Sequence, residues 1–204
     1  KLVTGSAGAA LALPKNFRRA GLLGPDSGAD MMPKSKGYSA VVAGSCSQAT
    51  LEQIAYMKKR FPSYRIDAMK LGGKRDIVKE AIAWAKPLMV DGPVLIYSSA
   101  EAGMIKKVQR KHGITKSTAL VEDCLAKISK GLIRAGVGRL IVAGGITASE
   151  TLKALNIRSL RIGNKISPGV PWTATIGDQP LHLALKAGDF GEEDFFTRAF
   201  RLLK

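Results

Sequence analysis

The sequence predicts an α/β protein, with a mostly parallel sheet and helices on both faces of that sheet (three-layer αβα). From about residue 38 onward, short apolar runs alternate with longer segments in which apolar residues recur at helical spacing. The first run, Ser39-Ala40-Val41-Val42-Ala43, is continuously apolar after its serine, which is typical of a buried strand. Alternation of strands and helices indicates parallel strands connected by helices.

Each element follows from this periodicity in chain order. Strands are predicted over residues 39–43, 64–69, 94–97 and 139–143, and shorter strand-like segments over 159–162, 173–176 and 181–186. Helices are predicted over residues 50–60, 76–88, 115–135, 148–155 and 192–202. The longest helix places an apolar residue every third or fourth position, at Val121, Leu125, Ile128 and Leu132.

Composition divides the chain into three parts. Residues 1–23 contain a Gly/Ala-rich turn and a helical pattern, and residues 24–37 are punctuated by proline and glycine with little apolar period, which predicts a linker. Residues 38–204 then form one α/β domain. Because the chain starts at Lys1 in sequence that already reads as folded protein, we expect that further protein precedes it.

The charge of the chain is unusually positive. Its 204 residues include 32 Lys and Arg against 16 Asp and Glu, a net charge of +16, which raises nucleic acid, an anionic membrane or a phosphorylated substrate as partners. The basic residues are scattered, without a continuous block, interleaved aromatics or zinc-finger spacing, so a nucleic-acid-binding protein is kept only as an alternative. No apolar run reaches the roughly 18 residues of a membrane span, so no membrane partner is expected.

Cysteine and histidine are too sparse to predict a metal site. Cys46 and Cys124 lack the spacing of metal ligands, and His112 and His182 are isolated from them in the sequence. This pattern favours a reducing, cytoplasmic setting.

The informative feature recurs where strands meet helices. The first strand ends in Gly44-Ser45-Cys46-Ser47, the third in Tyr97-Ser98-Ser99 and the fourth in Ala143-Gly144-Gly145. In a parallel sheet these junctions share the edge at which such sheets bind ligands. Small residues allow a ligand close to the backbone, and helix N-termini offer N–H donors to phosphate. The alternative is that these hydroxyls and glycines serve only the geometry of short loops and bind no ligand.

Three of these junctions also carry capping patterns. Thr50 with Gln53, Ser98 with Glu101, and Thr147 with Glu150 each match the spacing in which a hydroxyl satisfies the first N–H groups of a helix. Gly72-Gly73-Lys74-Arg75 lacks the other residues of a Walker A loop, and no G-x-G-x-x-G follows a strand, so a P-loop and a Rossmann site are disfavoured.

Two later segments leave alternatives open. The stretch Ser167-Pro168-Gly169-Val170-Pro171-Trp172 is stiff because its prolines fix φ, and it predicts either a rigid connector or a wall of a ligand cleft. Asp189 and Glu192 match a D-x-x-E cap for the last helix, which we favour. The alternative for Asp189 is a magnesium ligand acting through water.

Five ordered motifs resemble the nucleotide-binding domain of the four-carbon acid sugar kinases, a family long described only as a domain of unknown function that includes 3-oxo-tetronate kinases. The resemblance covers about residues 38–204, and its motifs are Gly44-Ser45-Cys46-Ser47 with Thr50 and Gln53, Tyr97-Ser98-Ser99, Ala143-Gly144-Gly145 with Thr147, Pro168-Gly169-Val170-Pro171, and Leu185-Lys186 with Gly188 and Phe190-Gly191.

The resemblance implies a kinase that binds ATP on this domain and a small sugar acid on a preceding domain, of which residues 1–23 would be the tail. It implies that the nucleotide is contacted by Ser45, Ser47, Gly144, Gly145, Ile146, Thr147 and Gly188. Mg²⁺ would bridge the phosphates, as in phosphoryl transfer generally. The catalytic base and the stereochemistry of the acceptor stay unassigned, and a homodimer is an open expectation.

The chain departs from the family within these motifs. Ile146 stands where the family usually has an acidic residue, and Ala187 and Asp189 stand where it usually has Ser and Asn. A second hypothesis is therefore a degenerate binding module that keeps the fold without the chemistry. Backbone N–H groups do not depend on side-chain identity, so nucleotide binding is expected under both hypotheses.

Overall fold

The structure is a computed structural model that describes residues 4, 7–24, 28, 31–100 and 102–203. Its sheet has seven strands in the order β2-β3-β1-β4-β7-β6-β5. The strands are β1 (Tyr38–Ala43), β2 (Ser63–Arg65), β3 (Val94–Tyr97), β4 (Val137–Ala143), β5 (Leu160–Ser167), β6 (Val170–Thr175) and β7 (His182–Lys186). The first five in spatial order run parallel, and β6 and β5 complete the sheet with antiparallel pairing. The predicted α/β class is confirmed.

In the part of the chain that the structure describes, two helices precede the first strand, helices separate the strands as far as β5, and one helix follows the last strand. The helices are α1 (Ala7–Ala10), α2 (Leu13–Arg19), α3 (Gln48–Lys58), α4 (Ile77–Leu88), α5 (Ala102–His112), α6 (Ile114–Arg134), α7 (Gly145–Ala154) and α8 (Phe195–Leu202), with a 3₁₀ turn at Ala68–Lys70. No helix within the described ranges is long and apolar enough to cross a membrane. Residues 31–37 lie against the domain, where the Pro33 carbonyl is 2.9 Å from His182 Nε2 and Arg139 donates to the Gly37 carbonyl at 2.8 Å.

The core has two halves, one on each face of the sheet. Alternate residues of β1 divide between them: Ala40 and Val42 pack with Leu125 of α6 on one face, whereas Val41 and Ala43 pack on the other. Helices α4, α6 and α7 cover the first face, and α3 and α8 cover the second. The predicted apolar runs are continuous because the central strands are buried on both faces.

Several helices and strands end at residues other than those predicted from the periodicity. The second strand stops at Arg65, well before residue 69, because the Asp67 carboxylate accepts the Met69 N–H at 3.0 Å and caps the 3₁₀ turn that follows. The segment from Ser167 to Trp172 forms the tight β5–β6 turn and the start of β6, where Trp172 is buried. It is therefore a connector within a hairpin.

Trp172 of β6 packs against α8 and donates a hydrogen bond to it. Its indole is 1% exposed, and Nε1 donates to the Ala199 carbonyl at 2.9 Å. We expect Trp172→Phe to lower the free energy of unfolding by about 1–2 kcal/mol, because the buried carbonyl loses its donor and the ring loses volume. Urea denaturation measures the change. Trp84→Phe, at a half-buried position on the opposite face, is the control, and an equal loss in both variants would contradict the role of the indole N–H.

Candidate functional site

The parallel strands bring the loops that follow them to one edge of the sheet. Ala43 at the end of β1 is in register with Tyr97 of β3 and Ala143 of β4, and Ala143 is in register with Lys186 of β7. The chain leaves each strand at the same level, so the loops that follow are neighbours. The prediction that the junctions share the carboxyl edge is confirmed, and the β7 junction joins them.

The loop after β1 is organised by two serines. Ser47 is the N-cap of α3, and its Oγ accepts the Thr50 N–H at 3.3 Å, as short hydroxyl side chains do at helix starts. Ser45 Oγ lies 3.2 Å from Ser47 Oγ and also accepts the Ser47 N–H at 3.2 Å. Both hydroxyls are thereby held in one position next to the first amides of α3.

The predicted cap formed by Thr50 and Gln53 is wrong, because Ser47 caps the helix three residues earlier. Both side chains instead reach across to the loop after β7. Thr50 Oγ1 donates to the Gly188 carbonyl at 2.9 Å, and Gln53 Nε2 donates to the Phe190 and Gly191 carbonyls at 3.0 and 2.9 Å. The loops after β1 and β7 therefore form one unit.

The loop after β4 is shorter than predicted. Helix α7 begins at Gly145, directly after Gly144, which adopts a φ of +130° that suits glycine. The cap assigned to Thr147 and Glu150 is therefore wrong: Thr147 is fully buried, and Glu150 pairs with Lys153 at 2.7 Å. The Gly144 N–H donates to the Lys186 carbonyl at 2.8 Å, which joins this loop to the β7 junction.

The remaining capping patterns have different outcomes. Ser98 lies at the carboxyl edge, where its N–H donates to the Ala43 carbonyl at 3.0 Å, but Glu101 lies outside the described residues. The cap predicted for Asp189 and Glu192 is wrong, because α8 begins at Phe195 with Asp194 at its N-cap position. The Glu192 carbonyl instead accepts the Phe195 N–H at 3.0 Å, which forms a turn ahead of the helix.

Gly188 lies directly against the serine hydroxyls. A Cβ at this position would collide with Ser45 Oγ and approach Ser47 Oγ to 2.8 Å, so only glycine fits here without moving them. Gly44 is packed against Thr147 in the same way, because a Cβ at Gly44 would collide with the Thr147 hydroxyl. Ser45, Ser47, Gly144, Thr147 and Gly188 are thus packed together at the edge of the sheet.

The exposed part of this site is the start of α7. A Cβ at Gly145 would meet nothing within 4 Å, and Ile146 is 57% exposed. The first N–H groups of a helix have no partner within the helix, and the positive end of the helix dipole lies there. An anion could therefore approach the backbone at Gly145 without displacing a side chain.

Lys186 belongs to the fifth sequence motif, but no role in the site is predicted for it from the sequence. Its side chain is fully buried, and Nζ donates to Thr50 Oγ1 at 3.2 Å and to the Ala187 and Gly188 carbonyls at 3.0 and 2.6 Å. Burial lowers the pKa of Lys186 to about 8, and the charge of Asp189 acts in the opposite direction. Besides that motif, the signal in the sequence is a lysine at the end of an apolar strand, immediately before the Gly188 loop.

The described residues provide few carboxylates for a metal. Within the described ranges, no three His, Cys, Asp or Glu side chains are grouped as metal ligands. Asp189 is an exposed carboxylate next to Gly188 in the loop that contacts the serines. One carboxylate together with phosphate oxygens is a common way for proteins to hold Mg²⁺, so Asp189 fits an ion that arrives with a nucleotide.

Fold and site together define an open α/β domain whose glycine- and hydroxyl-rich loops meet at the ligand-binding edge. The chain belongs to the family of nucleotide-binding C-terminal domains, whose model matches residues 40–196. It is 45% identical to a 3-oxo-tetronate kinase of Burkholderia multivorans over 99% of this chain and 47% of the relative, and 46% identical to one of Pseudomonas fluorescens over 97% of this chain and 46% of the relative. The chain thus spans about half the length of the curated relatives it matches.

A solved structure has the same fold. The crystal structure of a Haemophilus influenzae protein, from a family described as a domain of unknown function, superposes with a TM-score of 0.84 at 27% identity. The match covers 96% of this chain and 47% of that chain. The resemblance to the four-carbon acid sugar kinases is confirmed at the level of the family.

Proposed function

We propose that this chain is the ATP-binding half of a kinase that phosphorylates a four-carbon sugar acid of the 3-oxo-tetronate type. The observation that supports it most is the packing of Ser45, Ser47 and Gly188 beside the open N-terminus of α7 at Gly145. The names of the relatives at 45% and 46% identity support the kinase assignment.

The chemistry of the site suits a triphosphate. The N–H groups at the start of α7 would donate to phosphate oxygens. The Ser45 and Ser47 hydroxyls, which here donate to Ser47 Oγ and Thr50 Oγ1, would rotate to donate to the phosphate as well. Mg²⁺ would be held by the phosphates, with Asp189 as the candidate carboxylate, and would neutralise charge during transfer. The net charge of +16 would attract both an anionic nucleotide and an anionic acceptor. Gly144, Ile146 and Thr147 complete the proposed contact set.

Four further features of the whole protein belong to the proposal. The sugar acid would bind to a domain that precedes this one, with residues 1–23 as its last part and 24–37 as the linker. Transfer would occur in the cleft between the two domains. The whole protein would also form a homodimer and be located in the cytoplasm.

Ile146 supports a second candidate function, a degenerate module that binds a nucleotide without transferring phosphate. Its apolar side chain is exposed at the start of α7, where the family resemblance implies an acid. Ile146→Glu in the complete reading frame separates the two candidates in a kinase assay with 3-oxo-tetronate. Transfer by the natural sequence supports the kinase, and transfer only by the variant supports the degenerate module.

Calorimetric titration with Mg-ATP tests nucleotide binding by the 204-residue chain directly. We expect saturable binding, and we expect Ser47→Ala to weaken it about tenfold, because a hydroxyl donor to charged phosphate is lost. Ser63→Ala removes a hydroxyl at the start of β2, at the opposite end of the sheet, and should leave the affinity unchanged. Absence of binding by the unmodified chain would overturn the proposal.

A further inference from the structure

A cavity of about 370 Å³ adjoins the serine loop. Gly44 and Cys46 line both the loop and the cavity, and the other walls come from the 3₁₀ turn, the end of β3, α5 and α6. Its volume lies in the range of small-molecule sites. The cavity therefore continues the proposed phosphate site away from the start of α7.

Two buried polar side chains that line this cavity each have an oxygen without a hydrogen-bond partner among the described residues. Ser98 and Glu122 are each 8% exposed, and Ser98 Oγ and Glu122 Oε2 are unpaired. Burial raises the pKa of Glu122, and the nearby Thr147 hydroxyl acts in the opposite direction. Leaving such groups unpaired costs stability, which a ligand with hydroxyl donors would offset.

The lining also includes apolar side chains, beside polar ones from the 3₁₀ turn, α5 and α6. Ile66 and Val108 are buried, and Ala68 and Val121 are half-buried beside the cavity. A planar base can pack between such side chains. The lining therefore combines part of the serine loop, two buried oxygens without partners and a set of apolar side chains.

We propose that this cavity holds the nucleoside of the bound nucleotide, with Glu122 and Ser98 accepting the ribose hydroxyls and with Ala68, Val108 and Val121 packing against the base. The proposal rests on the proposed function, because it takes the phosphates to lie on the neighbouring loops. A buried carboxylate that accepts ribose hydroxyls would make the site select ribonucleotides, since the group is left unpaired when the hydroxyls are absent.

The test compares three ligands by calorimetry with the 204-residue chain: Mg-ATP, its 2′,3′-dideoxy analogue, and inorganic tripolyphosphate with Mg²⁺. We expect ATP to bind about tenfold tighter than the dideoxy analogue. A factor of this size corresponds to the loss of one hydrogen bond to a buried carboxylate. Glu122→Ala should reduce this preference to the part that Ser98 contributes. Asp123→Ala, the same truncation at the exposed neighbour on α6 that pairs with Lys127, should preserve it.

A second variant tests the base pocket without changing a polar group. Ala68→Phe places a ring in the cavity, and we expect it to weaken ATP about tenfold while changing tripolyphosphate less than about twofold. Equal affinities for ATP and tripolyphosphate, or an unchanged ribose preference in Glu122→Ala, would overturn the nucleoside site and leave the phosphate site intact. Failure of both ligands to bind the unmodified chain would instead overturn the proposed function.

Discussion

Gly145→Val is expected to abolish nucleotide binding while the domain remains folded. A Cβ at Gly145 meets nothing within 4 Å, and this glycine does not have a positive φ, so a side chain fits the free protein. Valine also favours a helix more than glycine does. A phosphate lying on the amides of the first turn of α7, however, would occupy the space that the valine takes.

The expected loss of Mg-ATP affinity is about a hundredfold or more, equivalent to about 3 kcal/mol, measured by calorimetric titration. Urea denaturation of the same variant should show a change below about 1 kcal/mol. Gly24→Val is the matched control, because its Cβ also meets nothing within 4 Å but lies in the predicted linker. Unchanged affinity in Gly145→Val would show that no phosphate approaches this helix start.

The regular part of the fold could be predicted because burial imposes a simple pattern. Val94–Tyr97 is apolar throughout, since the strand is covered on both faces, and the predicted and observed strands coincide. The long helix agrees to within one residue at each end, since Leu125, Ile128 and Leu132 form its fully buried face.

The antiparallel edge was harder to predict for equally physical reasons. Strand β5 is mostly exposed, so it lacks the apolar run of a buried strand. Pro171, the second residue of β6, lies opposite Lys165, where the register is irregular, because proline cannot donate a hydrogen bond to the neighbouring strand. The sequence consequently predicts two short segments where the structure has a hairpin of longer strands.

In the candidate site, the local sequence predicts the loops but not the hydrogen bonds that join them. Serine and glycine after a strand predict small hydroxyl loops, and these are present at Ser45, Ser47 and Gly144. The bonds from Thr50 and Gln53 to the β7 loop join residues about 138 positions apart, which no local pattern contains. The same holds for Glu122, which faces the site only because α6 packs beside α7.

The buried lysine provides the second large effect, which appears as a dependence of stability on pH. The pKa of Lys186 is about 8 in the folded protein, against an ordinary value of 10.5, because burial disfavours the charged form. Between these values the unfolded chain keeps a proton that the folded chain has released. The free energy of unfolding contributed by Lys186 therefore rises with pH across this window and is lowest below pH 8.

The measurement is urea denaturation of the natural chain and of Lys186→Met from pH 7 to pH 10.5. We expect the stability of the natural chain to increase relative to the variant by about 3 kcal/mol over this range, the free-energy equivalent of the lowered pKa. Lys79→Met, at a side chain that is 86% exposed, should show no such trend. A pH-independent difference between the natural chain and Lys186→Met would mean that the buried amine keeps its ordinary pKa.

The same variant connects this lysine to ligand binding. At pH 7, Lys186→Met removes the donor that holds the Ala187 and Gly188 carbonyls and Thr50 Oγ1. The loop that positions Gly188 against the serines is then less constrained, and we expect Mg-ATP affinity to fall about tenfold. Because the ammonium group is buried and bonded to the protein, this loss would arise from a displaced loop, so raising the salt concentration should leave the ratio of the two affinities unchanged.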